Sequence, residues 1–120
     1  MRKSKPIKNL KYRCDILVGK KCRSLGHCEI CGKHWGVMEW AHFTSRRNIR
    51  LRYDERNYAC LCISDHQRGH RDPIWFSIEW DKMRGAGTVE QLRIEAAKAE
   101  PIREDFYRRV IEENGGATKR

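Results

Sequence analysis

The apolar positions of this chain recur in two different periods. From Ile7 they fall at Ile7, Leu10, Cys14, Leu17 and Val18, the stripe of an amphipathic helix that Gly19 should end or loosen. Val37 to Phe43 and Asn57 to Ile63 are instead short apolar runs, and each predicts a strand. Thr44 to Arg56, between them, is too charged to bury and predicts a loop. Ser64-Asp65-His66-Gln67 has the form of a capping box, so a helix should start there, kept short by Gly69. Asp72-Pro73 supplies a cap and a first-turn proline for the next helix. Phe76, Trp80 and Met83 mark its buried face, widened by Trp75 and Ile78. Gly85-Ala86-Gly87 breaks the pattern before a second capping box, Thr88-Val89-Glu90-Gln91, and Val89, Leu92 and Ala96 continue at helical spacing. Pro101 should open a last helix with Ile102, Phe106 and Val110 on one side, ended by Gly115-Gly116. The pattern predicts a small α+β protein in which a two-strand and helix core lies between an N-terminal helix and two or three C-terminal helices.

Length and composition sharpen this. A chain of 120 residues suits a single domain. Its segments are a basic arm at 1–6, a helical segment at 7–25, a core at 26–72, helices at 73–114 and a disordered tail at 115–120. The apolar fraction of 39% is low, so a metal clip would supplement the core. Lys and Arg number 26 against 16 acids, a net charge of +10, which points to a polyanionic partner. Nucleic acid stands ahead of membrane, because no apolar span or long amphipathic basic face is visible. The charge is uneven. Residues 2–23 hold nine Lys/Arg and one acid, and 46–71 hold seven Arg and three acids, whereas 88–114 are net acidic. No signal-peptide core follows the basic N-terminus, so a cytoplasmic protein is expected. There, six cysteines read as metal ligands or buried thiols rather than disulfides.

The candidate chemistry is concentrated between Cys28 and His70. Cys28-Glu29-Ile30-Cys31, followed by Gly32, has the form of a zinc knuckle. Alone it would serve equally as a redox pair, but the second cysteine cluster at Cys60 and Cys62 favours metal. Cys14, on the apolar stripe, reads as a buried thiol, and His27 and His34 read as exposed. Cleaving a phosphodiester requires a base, a cation to stabilise phosphate charge, and groups that align both. His42 offers a neutral imidazole as base. His66 and His70, one helical turn apart, can present two nitrogens to one divalent ion and leave positions open for water and phosphate. Asn57 can orient the loop or the imidazole without altering the charge. Arg46, Arg47, Arg50 and Arg52, with Arg68 on the following helix, suit phosphate contacts, although a solvated loop has the same composition.

The order His42, Asn57, His66 resembles the HNH endonuclease family with its ββα-metal fold. With Cys28/Cys31 and the run Leu51-Arg52-Tyr53-Asp54 through Leu61-Cys62, the chain is similar to zinc-containing HNH proteins of bacteriophages, including recombination proteins of the NinG type. The resemblance covers roughly residues 14–84. It implies metal-dependent nicking or cleavage of DNA in phage recombination or processing, in the host cytoplasm. His42 would be the general base, Asn57 the orienting residue, and His66 and His70 the ligands of a catalytic Mg²⁺, Mn²⁺, Ni²⁺ or Zn²⁺. Two positions depart from the family pattern. Where many relatives place a metal ligand before the first histidine, this chain has Ala41, so the ion relies on His66 and His70 or recruits Glu39 or Asp54. The second cysteine pair reads Cys62-Ile63-Ser64-Asp65, which implies a structural zinc on Cys28, Cys31, Cys62 and Asp65. Cys60 is the substitute ligand, with Cys14 and Cys22 behind it. Ala41 also leaves open a zinc-dependent nucleic-acid-binding module without catalysis. A third class, a structural or regulatory protein that binds a protein partner, leaves the Arg-rich segment unexplained. A homodimer would let two sites cut two strands, though no feature demands one.

Overall fold

The computed structural model describes residues 5–98 and 100–116, the first three of these by their backbone alone. The first four residues of the expected arm, the side chain of Ile7 and most of the expected tail therefore lie outside the described residues. The elements are α1 (Lys5–Arg23), β1 (Met38–His42), α2 (Ile49–Arg52), a 3₁₀ turn (Glu55–Asn57), β2 (Tyr58–Cys62), α3 (Ile63–Arg71), α4 (Pro73–Arg84), α5 (Thr88–Ala96) and α6 (Glu104–Glu113). The protein is α+β. No helix among the described residues is long and apolar enough to cross a membrane.

Contacts group the chain into two compact units, Met1–Lys21 with Glu100–Arg120, and Cys22–Ala99. In the first, Leu10, Cys14 and Val18 of α1 and Tyr107, Val110 and Ile111 of α6 are buried. The Cys14 thiol donates to the Tyr107 carbonyl at 3.4 Å, the buried-thiol role its place on the stripe predicts. Gly19 does not end α1, which runs to Arg23. The residue is itself buried. α6 starts at Glu104 rather than Pro101, with Glu104 and Asp105 placing negative charge in its first turn. Its apolar face turns on Tyr107, Val110 and Ile111, while Phe106 stays partly exposed.

The second unit is built on one antiparallel pair. β1 and β2 run from Met38↔Cys62 to His42↔Tyr58. All five residues of β2 are buried, and its far edge is closed by Glu29, whose N–H donates to the Cys60 carbonyl at 2.9 Å. The Glu29 carboxylate also accepts the Cys60 N–H at 2.8 Å and is gripped by Arg84 at 2.8 Å. Burial works to raise the Glu29 carboxyl, but these hydrogen bonds outweigh it and hold it below the usual range. Arg84 reaches the Tyr58 and Glu55 carbonyls as well, and so ties the end of α4 to the knuckle and to β2.

Some local expectations need correction. The Arg-rich segment is not all loop. It folds into α2 and the 3₁₀ turn because Leu51 and Tyr53, only 1% and 7% exposed, pin it to the core. α3 is capped by the Cys62 thiol, which accepts the Asp65 N–H, and not by Ser64. Thr88 is no cap either. Its hydroxyl donates to the Arg84 carbonyl at 3.1 Å, and Gly87 takes the N-cap position. Asp72 does cap α4, accepting from the Trp75 N–H at 3.1 Å. Phe76 and Trp80 are buried there, but Ile78 is 53% exposed, on the far side of the helix. Gly69 is needed where α3 meets α4, since a Cβ would lie 2.6 Å from the Phe76 ring.

Candidate metal centre and active-site pocket

Four side chains converge where the knuckle meets the junction of β2 and α3. The knuckle closes on itself through Gly32 N–H to Cys28 O and Cys28 N–H to Lys33 O, at 2.9 and 2.8 Å. Gly32 holds φ at +80°, which a side chain would strain. Cys62 ends β2 and Asp65 lies in the first turn of α3, so the strand-to-helix junction sets their separation. Donor atoms of Cys28, Cys31, Cys62 and Asp65 all lie within 4.8 Å of one another. Cys28 Sγ is 3.2 Å from Asp65 Oδ2, and the Cys31 and Cys62 sulfurs are 3.9 Å apart. A tetrahedral zinc with bonds of about 2.0–2.3 Å needs donors roughly 3.5–3.8 Å apart, so the set fits that ion. The Lys33 backbone lowers the Cys31 thiol, but desolvation and its neighbours Asp65, Cys28 and Cys62 prevail and push it up to about 12. A divalent cation would reverse that crowding of incipient anions.

Cys60 is not in this group. It faces the same side of β2 as Cys62 but lies two residues back, roughly 7 Å along the strand. It is fully buried beside Glu29, and burial raises its thiol. Cys22 is buried too, its thiol pushed up to about 12 by desolvation, then by Cys60 and Glu29. His27 and His34 are exposed, as their polar surroundings predict.

At the opposite end of β1 a cavity of about 650 Å³ is lined by Trp40, His42, Phe43, Ser45, Arg46, Arg47, His66 and His70. His42 Nε2 is 2.9 Å from the Arg52 carbonyl, which can only accept, so Nε2 carries the proton and Nδ1 the lone pair. Burial lowers its pKa to about 4. The Arg52 carbonyl works in the opposite sense, while the charges of Arg52, Arg46 and His66 lower it further. His42 is therefore neutral at pH 7. His66 Nδ1 donates to Glu39 Oε1 at 2.6 Å, leaving Nε2 available, and the His70 ring lies one turn on, 5.1 Å away between centroids.

The Asn57 side chain hydrogen-bonds to Thr44 and Leu51, not to His42. Fully buried, it accepts the Thr44 N–H at 2.7 Å and donates to the carbonyls of Leu51 and Thr44. It thus staples the Arg-rich segment whose Arg52 carbonyl orients the imidazole. Of the two acids considered for the pocket, Glu39 engages His66, whereas Asp54 is held by Arg56 at 2.7 Å. Alternate strand residues share a face, so Glu39 comes from the same side of β1 as the fully buried Ala41. The arginines separate. Arg46 and Arg47 are exposed at the cavity; Arg50 and Arg52 are partly buried. Arg52 lies over Trp40 at 5.1 Å and donates to the Arg46 carbonyl. Arg68 stacks on Trp75 at 4.1 Å. Trp40 and Ser45 were not foreseen as lining residues, although Trp40, two residues before His42, shares its strand face. Comparison of the chain with protein-family models, curated proteins and solved structures finds no match.

Proposed function

We propose that β1, β2 and α3 form a ββα-metal motif of the HNH type, and that the chain is a metal-dependent DNA endonuclease acting in phage DNA recombination or processing in the host cytoplasm. The observation that carries this reading is the pocket, which gathers a neutral, oriented His42, two further histidines and two exposed arginines. His42 Nδ1 takes a proton from water as the water oxygen attacks phosphorus and the bond to the leaving oxygen breaks. Arg46 and Arg47 hold the phosphate oxygens. Asn57 keeps the Arg-rich segment, and through the Arg52 carbonyl the imidazole, in place. His66 and His70 would hold a divalent ion (Mg²⁺, Mn²⁺, Ni²⁺ or Zn²⁺), which supplies charge stabilisation to the phosphate and the leaving oxygen. Two imidazoles are a short donor set, and weak binding in the absence of DNA follows from that. Zinc at Cys28, Cys31, Cys62 and Asp65 has a structural role.

Ala41 favours a second reading, a zinc-dependent nucleic-acid-binding module without catalysis, because it offers no ligand where many HNH proteins have one. Supercoiled-plasmid cleavage with each candidate ion separates the two. Wild-type protein should give nicked or linear product, and His42→Ala should be slower by about 10²–10⁴-fold while still binding DNA. Cutting by the variant at the wild-type rate would remove the mechanism. Binding without cutting by both proteins would establish the second reading.

A further inference from the structure

Three of the four tryptophans have a place in the fold. Trp80 is fully buried, and Trp40 and Trp75 are partly buried against the protein. Trp35 is different. It is 63% exposed, on the segment between the knuckle and β1, and Val37, two residues on, is 65% exposed. A single exposed apolar residue needs no explanation by itself. Here the chain is tethered two residues before the indole, where the Lys33 carbonyl accepts the Cys28 N–H at 2.8 Å. Its own neighbours are cationic or titratable: the Lys33 ammonium lies over the ring, 5.5 Å from its centroid, and the His34 ring packs edge-on at 5.3 Å, yet the residue stays mostly in solvent.

A mostly exposed indole with a lysine over its ring, on a chain of charge +10, matches the stacking platforms that take an unpaired base on a ring face and set a cation on the neighbouring phosphate. Paired bases hide their faces in the duplex, so an indole gains a stacking partner only at a strand end, gap or branch. We propose that Trp35 stacks on an unpaired base of single-stranded DNA, with Lys33 on an adjacent phosphate, so that the substrate combines duplex and unpaired regions. The choice of DNA rests on the endonuclease reading; the stacking surface does not.

The test uses full-length, zinc-loaded His42→Ala protein without added divalent ion, titrated against a fluorescently labelled oligothymidylate and against a blunt duplex of equal length. Adding Trp35→Ala should weaken oligothymidylate binding by roughly 5- to 100-fold and leave duplex binding unchanged, while Trp35→Phe, which keeps a ring, should lose little. Unchanged zinc content and melting temperature show that the variants are folded. Equal loss on both DNAs, or no loss on the single strand, overturns the proposal. Should the parent protein fail to bind the single strand, the proposal also falls and a protein partner becomes the better occupant of this surface. Plasmid cleavage without Trp35-dependent binding would sink this inference and leave the nuclease standing; Trp35-dependent binding without cleavage would do the reverse.

Discussion

A single hydrogen bond decides which nitrogen of His42 carries the lone pair. Because Nε2 donates to the Arg52 carbonyl, Nδ1 is the basic site, and burial keeps it unprotonated until the pH approaches about 4. The same logic applies to His66, where Glu39 accepts from Nδ1 and leaves Nε2 as the donor available to a metal. On the proposed endonuclease reading Glu39 is a positioning residue, and its removal should be read in metal dependence rather than in rate alone. Glu39→Ala should raise the Mn²⁺ concentration for half-maximal cleavage by about 10- to 100-fold, with Glu39→Gln, which keeps an acceptor, in between. A superimposable activation curve for Glu39→Ala would remove that role. That His42, His66 and His70 would come together was readable from their order, and one cavity does gather them. That Asn57 acts through Thr44 and Leu51 was not, since those bonds exist only once the intervening segment has folded back.

At the scale of elements, the two strands were legible as apolar runs and α4 from its Asp-Pro start. Hidden were α2, whose buried Leu51 is surrounded by arginines, and the thiol cap of α3, which has no propensity signal. The cap matters because Cys62 belongs to the strand, the helix and the candidate metal cluster together. A two-stranded sheet is marginal by itself, so a zinc held by the four residues would carry much of its stability. Chelation is expected to lower the melting temperature by roughly 10 °C or more. Asp65→Ala should lose zinc on dialysis, whereas Cys60→Ala should retain one zinc per chain, because Cys60 lies outside the cluster. Metal analysis by mass spectrometry decides this. Zinc loss from Cys60→Ala with retention by Asp65→Ala would reverse the ligand assignment, and a melting temperature indifferent to chelation would end the structural role.

For the molecule as a whole, the net charge of +10 sets a general attraction to polyanions, and the structure distinguishes among the arginines that produce it. Composition treats Arg46, Arg47, Arg50 and Arg52 alike. Burial does not, because Arg46 and Arg47 face the cavity in solvent while Arg52 lies over Trp40 and donates to the Arg46 carbonyl. Exposed guanidinium groups that neutralise phosphates release counterions, and each contributes about 0.9 to the slope of log affinity against log salt. The double variant Arg46→Ala/Arg47→Ala should therefore bind unrelated duplexes more weakly by similar factors, with a salt slope shallower by roughly 2. Arg52→Ala should change the slope less and cleavage more, since it loosens the segment whose backbone orients His42. Affinity measured between about 50 and 200 mM salt separates these effects. An unchanged slope in the double variant would place the phosphates elsewhere on the basic surface, and the pocket would lose its anchor for DNA.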